Sequence, residues 1–375
     1  MGDEGFLTSV AGHMKTAVVR IVASTLFHSG ALNALQTRTR RNIIDKTGLV
    51  PQVFPFGVLL YHRVNSDADP YFPRVSTEVF DAQMNYLARH YRVLSLGEIL
   101  GRIENGLEVQ PYTIAITFDD GYRDNFTYAH PILKKYRLPA TLFVATGHIG
   151  SDGTMWNDRV SWAFKHTGRK DFALEIANRR FVISLRSTKD RIRSLSVVLE
   201  ILKAVPDSEK SRILDSMVKE LNSEGAEPPR LMLSWGELRQ MVEEGWEIGS
   251  HTVNHVILTR VQASVVNDEL RKSKETLQKE LQCPISLFAY PNGKQPDFDL
   301  SIKDLVREAG YKAAVTTLDG LNDRSTDPFE IRRRSPWEPD LPCFATRLLH
   351  VYWKRTKQTS WSDFCQGRWF YETQT

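Results

Sequence analysis

Pro111-Tyr112-Thr113-Ile114-Ala115-Ile116-Thr117-Phe118-Asp119-Asp120-Gly121 is an unbroken apolar run that stops on two adjacent carboxylates. A run that is apolar throughout, rather than alternating, suits a strand covered on both faces, as in the parallel sheets of α/β proteins. Phe56-Gly57-Val58-Leu59-Leu60-Tyr61, ending at His62, and Ala140-Thr141-Leu142-Phe143-Val144 read the same way. So does Ile285-Ser286-Leu287-Phe288-Ala289-Tyr290, which stops at Pro291-Asn292-Gly293. Helical patterns lie between them. Phe80, Met84, Leu87 and Tyr91 have helical spacing, and helices are expected through Tyr128 to Tyr136, from Trp235 to Glu244 and over about Ala263 to Leu281. A further βα step covers Leu305 to Thr317. Repeated βα units predict a parallel barrel or a doubly wound sheet, and polar residues at strand C-termini favour the barrel.

The 375 residues suit one barrel-sized domain with insertions. With 41% apolar and 25% charged residues the composition is that of an ordinary globular protein. A net charge of +4 gives no argument for nucleic acid; the basic clusters Arg38-Thr39-Arg40-Arg41 and Arg332-Arg333-Arg334 read as solvated faces or anion contacts. Cys283, Cys343 and Cys365 are odd in number and include no CxxC pair, so neither a zinc ribbon nor a disulfide scaffold is indicated.

Residues 1–52 read as a helical leader with Gly30 and Gly48 as stops, 53–340 as the barrel, and 341–375 as a C-terminal tail. From about 150 to 230 the chain turns charged and mostly helical, with a short alternating stretch at Phe181-Val182-Ile183; this is expected to be an insertion in the barrel. Asp3, Glu4 and Arg20 argue against a signal peptide, and no run is long enough to span a bilayer. The leader suits either packing on the protein's own body or peripheral contact with a membrane surface through Lys15, Arg20, Arg38, Arg40 and Arg41.

Far along the chain, Ser250-His251-Thr252-Val253-Asn254-His255 offers two imidazoles four residues apart. On a helical turn that spacing puts both on one face. Asp plus two His is a three-ligand set for a borderline divalent ion, with a position left for water. Each motif alone has a plainer reading: Asp-Gly after a strand is common turn chemistry, and the histidines can be a satisfied loop pair. Asn254 is a candidate partner for the second imidazole.

Taken together, the segments resemble the polysaccharide deacetylases, the carbohydrate esterase family 4 with the NodB-homology fold. Thr117-Phe118-Asp119-Asp120-Gly121 corresponds to the first family motif, Glu247 to His255 to the second, and Phe288-Ala289-Tyr290-Pro291-Asn292-Gly293 to the third. The resemblance runs roughly from Phe56 to Arg334 and implies a distorted (β/α) barrel with a helical insertion. It makes Asp119 the general base and Asp120, His251 and His255 the ligands of a divalent metal. Zinc is the expected ion, although cobalt, nickel and iron also suit such ligands. The backbone N–H of Tyr290 is expected to help an oxyanion.

Two departures matter. The common Leu-x-His motif has only His350 as a late counterpart, whereas Tyr61-His62 resembles the exopolysaccharide branch, in which an early Tyr-His segment supplies the acid. His62 is therefore the expected acid, against a core or capping role. The usual arginine that orients the base falls at Ala289 and the usual aromatic at Asn292. Arg333 is the expected replacement for that arginine, against a surface salt bridge. Tyr122, Tyr290, Pro291 and Trp156 are the expected substrate contacts.

The resemblance implies removal of N-acetyl or O-acetyl groups from a bacterial surface polysaccharide or its precursor, without nucleic acid as a partner. The alternatives are an amidohydrolase of the same fold on a small amide, and a non-catalytic carbohydrate-binding protein. A cytoplasmic or membrane-peripheral location is expected over secretion.

Overall fold

The structure, a computed structural model, describes residues 17–45, 53–151, 154–176, 179–221 and 230–356. Gly48, Lys15 and Cys365 lie outside the described residues. The chain opens with α1 (Ala17–His28) and α2 (Ala31–Asp45), bent by 75° at Gly30. The strands and helices then alternate: β1 (Gly57–Tyr61), α3 (Thr77–His90), β2 (Arg92–Val93), α4 (Leu96–Glu104), β3 (Thr113–Phe118), α5 (His130–Tyr136) and β4 (Thr141–Val144). The insertion holds α6 (Trp156–His166), β5 (Asp171–Ile176), β6 (Arg179–Ser184), α7 (Thr188–Ala204) and α8 (Asp207–Leu221). The alternation resumes with α9 (Trp235–Glu243), β7 (Glu247–Ser250), α10 (Ala263–Leu281), β8 (Leu287–Ala289), α11 (Leu300–Glu308) and β9 (Ala313–Val315), and α12 (Leu341–Thr356) follows.

Parallel pairing runs β1-β3-β4-β7-β8-β9, with β2 also on β3. The sheet curls until its ends are joined by one extended segment. Ile331 bridges β9 at Val315, and Arg334 bridges β1 at Leu59, both in parallel. Arg334 N–H donates to the Val58 carbonyl, and Leu60 N–H to that of Arg334, each at 2.8 Å. This seam closes the distorted barrel.

Residue alternation sorts the core into two layers. Val58, Ala115, Phe143, Leu287, Ala289, Val315 and Ile331 form the interior. Their chain neighbours Leu59, Ile114, Ile116, Leu142, Ile248, Phe288 and Ala314 pack outward against the helices. Each strand is apolar throughout because each face is covered. Helix starts are fixed by local caps: Ser76 Oγ accepts from Val79 N–H at α3, and Ser234 and Glu237 form a capping box at α9. At the strand N-termini, Glu247 accepts from Gly97 N–H and from Thr141 Oγ1, so the start of α4 covers that end.

Helix α12 packs on α2 and α3. Its Tyr352 Oη donates to the Thr113 carbonyl at 2.7 Å and accepts from Gly57 N–H at 3.0 Å, tying segment 341–356 to β1 and β3. The insertion has its own core, including Val160, Phe164, Phe172, Leu195, Val198 and Leu214. It contains an antiparallel hairpin, β5–β6, of which the sequence pattern showed only the second strand. Its outward positions are exposed, so β5 lacks the continuous apolar signal of the barrel strands. No single helix among the described residues is long and apolar enough to cross a membrane.

Candidate active site

The site lies at the C-terminal mouth of the strands. Pairing of Tyr61 with Phe118 sets His62 beside Asp119, and Asp119 N–H donates to the Tyr61 carbonyl at 3.0 Å. The alternation that turns Ala115 inward carries Asp119 into the mouth. Asp120 then takes φ = 77° and Gly121 φ = 92°, a sharp left-handed turn at the end of the strand. Asp tolerates that region better than most side chains, and glycine enters it freely.

Arg333 is fully buried and grips Asp119 with both nitrogens of its fork, Nη1 to Oδ1 and Nη2 to Oδ2, each at 2.7 Å. Its Nε donates to the Thr316 carbonyl at 2.8 Å, so the fork is aimed from behind. The guanidinium absent at Ala289 thus arrives from the closing seam. Burial alone would push the Asp119 carboxyl up; the charges of Arg333 and His251 outweigh it and hold the group below the ordinary carboxylate range.

Asp120 Oδ1 is buried and has no hydrogen-bond partner. It lies 3.5 Å from His251 Nε2 and 3.4 Å from His255 Nε2. One ligand atom from each of the three residues falls within 4.8 Å of the others, a spacing that can hold a metal ion. His251 Nδ1 is 2.7 Å from the Ala289 carbonyl, which can only accept. Nδ1 therefore carries a proton and Nε2 is the nitrogen that faces Asp120, while the Asp119 and Asp120 carboxylates pull the group upward against its burial. Burial is the largest influence on His255 and, with the charges of His251, His148 and Lys210, takes it down to about 3 despite Asp120. A neutral imidazole and an ionised carboxylate are the forms that ligate a metal. An orphaned carboxylate oxygen between two such nitrogens fits a divalent cation, not an internal hydrogen-bond network.

The helical turn expected for His251 and His255 is not what brings them together. Both lie in the loop after β7, and left-handed φ angles at Thr252 (66°) and His255 (54°) fold the rings to a centroid distance of 4.8 Å. That loop is held by Glu269 of α10, which accepts from Val253 N–H at 2.7 Å, Asn254 N–H at 2.9 Å and Asn254 Nδ2 at 2.7 Å. The Asn254 side chain therefore anchors the loop instead of bonding His255. Three of the seven positive-φ non-glycine residues described, Asp120, Thr252 and His255, belong to this site, where backbone strain is held by the surrounding bonds.

The remaining expected residues are placed differently. The Tyr290 N–H donates to the Val315 carbonyl at 3.1 Å within the sheet, so it is not free for an oxyanion. The Tyr290 ring is buried on Phe298 and its hydroxyl donates to the Phe329 carbonyl at 3.1 Å; it is core, with Pro291 buried after it. Tyr122 is only 2% exposed, and its hydroxyl donates to Asp158 Oδ2 at 2.9 Å. Trp156 packs against the insertion core under Lys210, whose Nζ lies 5.2 Å from the ring centre. His350 sits on α12, among the helices outside the barrel. His62 has its Nδ1 buried without a hydrogen bond.

A curled parallel barrel with paired carboxylates and two imidazoles at its mouth is the architecture of a carbohydrate esterase of the NodB-homology type. The sequence profile described as "Polysaccharide deacetylase" matches residues 107–314, and the chain belongs to that family. It is an enzyme, a hydrolase of carbon–nitrogen bonds other than peptide bonds. The putative polysaccharide deacetylase YxkH of Bacillus subtilis is 21% identical over 277 residues, 74% of this chain and 69% of the relative. Over 88 residues, 23% of this chain and 30% of the relative, identity reaches 36% with the poly-beta-1,6-N-acetyl-D-glucosamine N-deacetylase of Staphylococcus aureus. Among solved structures, the Streptococcus pyogenes deacetylase PplD superposes with a TM-score of 0.52 at 20% identity, covering 79% of this chain and 99% of that one, a likeness of fold.

Proposed function

We propose that this chain is a metal-dependent N-deacetylase of an N-acetylated bacterial polysaccharide or its precursor. The observation that carries the reading is the orphaned Asp120 Oδ1 facing two imidazole nitrogens, beside a second carboxylate held ionised by a buried guanidinium. Asp120, His251 and His255 would hold the ion, zinc by preference for such a donor set. A bound divalent ion polarises the acetamide carbonyl and lowers the pKa of water.

The chain's own groups do the rest. Asp119 takes a proton from the water that adds to the acetamide carbon; Arg333 keeps it anionic and fixes its orientation. His62, beside Asp119 just past the end of the neighbouring strand β1, gives a proton to the leaving nitrogen as the carbon–nitrogen bond breaks. The products are acetate and a free amino sugar. The match to the staphylococcal N-deacetylase supports an amide over an ester as the bond cleaved.

Acetate release from N-acetylglucosamine oligomers tests the roles. Zinc-loaded wild type should release acetate, while Asp119→Asn and His62→Ala should both lose it with folding intact. Full activity in either variant removes that residue from the mechanism. For location, the α1–α2 pair, with Val18, Ile21 and Leu35 exposed, supports peripheral attachment to the inner membrane face. Co-sedimentation with anionic vesicles tests that assignment, and background binding contradicts it.

A further inference from the structure

The two stems of the insertion are pinned beside the reacting centre. Gly150 N–H donates to the Leu233 carbonyl at 2.9 Å, and Leu233 N–H to that of Gly121, the residue after Asp120, at 3.0 Å. Arg123 N–H donates to the Leu231 carbonyl at 2.8 Å. Both ends of the segment are thus bonded to one another and to the turn that carries the aspartates.

From these stems the insertion meets the barrel rim at points far apart round the ring. Tyr71 of the loop after β1 is buried in the insertion core with Val160 and Phe164, and Lys165 Nζ of α6 meets Asp69 Oδ2 at 2.6 Å. After β3, the Tyr122 hydroxyl donates to Asp158 Oδ2 at 2.9 Å, and both side chains are buried. On the far side, Glu200 of α7 lies 3.8 Å from Lys294 in the loop after β8, an exposed pair. The strands follow one another round the ring as β1-β3-β4-β7-β8-β9, and the insertion itself follows β4. Its contacts therefore run along the rim from β1 to β8, and β9 with the closing seam makes up the remaining arc.

That arrangement bears on which sugar can enter. A unit inside a polymer has chain leaving it on both sides, so a site that acts on internal units needs a groove with two exits. A wall along most of the rim gives access from one side. Exclusion by clash discriminates between ligands as well as attraction does. Asp69, Lys165, Glu200 and Lys294 lie outside the metal and acid–base set, so the wall acts on access and not on the chemistry.

We infer that the insertion walls the mouth so that the terminal N-acetylated unit of a glycan, at a chain end or on a short precursor, reaches the reacting centre and internal units do not. The inference rests on the deacetylase reading and names the substrate class within it.

The test uses N-acetylglucosamine hexamers in β-1,4 and β-1,6 linkage, each in three forms: free, capped at the non-reducing end by a galactosyl unit, and capped at the reducing end by a bulky aglycone. Acetate is counted per chain, its position is read by fragmentation mass spectrometry, and binding is followed by calorimetry. Zinc-loaded wild type should release one acetate, from one end, and one of the two caps should abolish release. Acetate from internal units, or release indifferent to both caps, overturns the inference. Lys165→Glu combined with Glu200→Lys reverses both ion ties and should raise internal release at least about tenfold. Adding Asp69→Lys and Lys294→Glu restores both pairs and should exclude internal units again. An unchanged pattern in the folded, reversed protein overturns the wall as the cause. If wild type releases no acetate, loss of hexamer binding with one cap alone upholds terminal recognition while the deacetylase reading falls; equal binding of all three forms overturns the inference.

Discussion

The barrel mouth and the insertion are built on opposite principles. At the mouth, several site residues are held by backbone and buried bonds: Arg333 by the Thr316 carbonyl, His251 by that of Ala289, and the His255 loop by Glu269. The insertion is organised around a separate apolar core, and its Asp158 accepts from the Tyr122 hydroxyl beside the site. A reaction that needs fixed geometry is placed where strands define position to fractions of an ångström.

If that division holds, the largest losses come from the mouth. Asp119→Asn should reduce acetate release by about 10²–10⁴-fold. It should also lower the melting temperature, because it leaves the buried Arg333 without a full partner. An activity within a few-fold of wild type, with the metal bound, would remove the base.

A smaller effect is expected one layer out. Glu269→Ala should weaken metal affinity by about 10–100-fold, as removal of outer-shell support typically does, with little change in circular dichroism. Competition against a fluorescent chelator reads this directly; unchanged affinity would show that the loop holds its shape without Glu269.

The smallest effect sharpens the boundary with the insertion. Burial raises Asp158 to about 7, against the pull of Arg63 and the Tyr122 hydroxyl. An unfolded aspartate ionises near pH ~4, so between that value and about 7 the folded state holds the extra proton. That contribution to stability is present below the lower value and is lost as pH rises through the upper one. Asp158→Asn should therefore flatten the decline in melting temperature between acid and neutral pH, by a few degrees at most. Parallel curves for the two proteins would mean that Asp158 is ionised throughout.

Much of this was legible in the sequence because the barrel strands are covered on both faces and announce themselves as apolar runs. The family motifs then named Asp119, Asp120, His251 and His255. The helical spacing read into the two histidines was misleading, since a loop with two left-handed residues achieves the same meeting. Arg333 shows where pattern ends and topology begins. Three consecutive arginines look alike in sequence, but the seam's alternation turns Arg332 outward and buries Arg333. Glu269 and Asp158 left no local signal, because their partners lie on elements that only folding brings near. Tyr122, Tyr290 and Trp156 were singled out as aromatic and close to motifs; burial gives Tyr122 and Tyr290 packing roles, while Trp156 is half-buried against the insertion core.

The central claim is that Asp120, His251 and His255 hold a divalent ion on which hydrolysis depends. Its most direct test is acetate release by chelated protein during zinc titration, with Asp120→Ala in parallel. The account predicts no release from chelated wild type, recovery that saturates at one zinc per chain, and none from Asp120→Ala at any zinc level. Full activity in the chelated protein, or zinc bound equally well by Asp120→Ala, would contradict it.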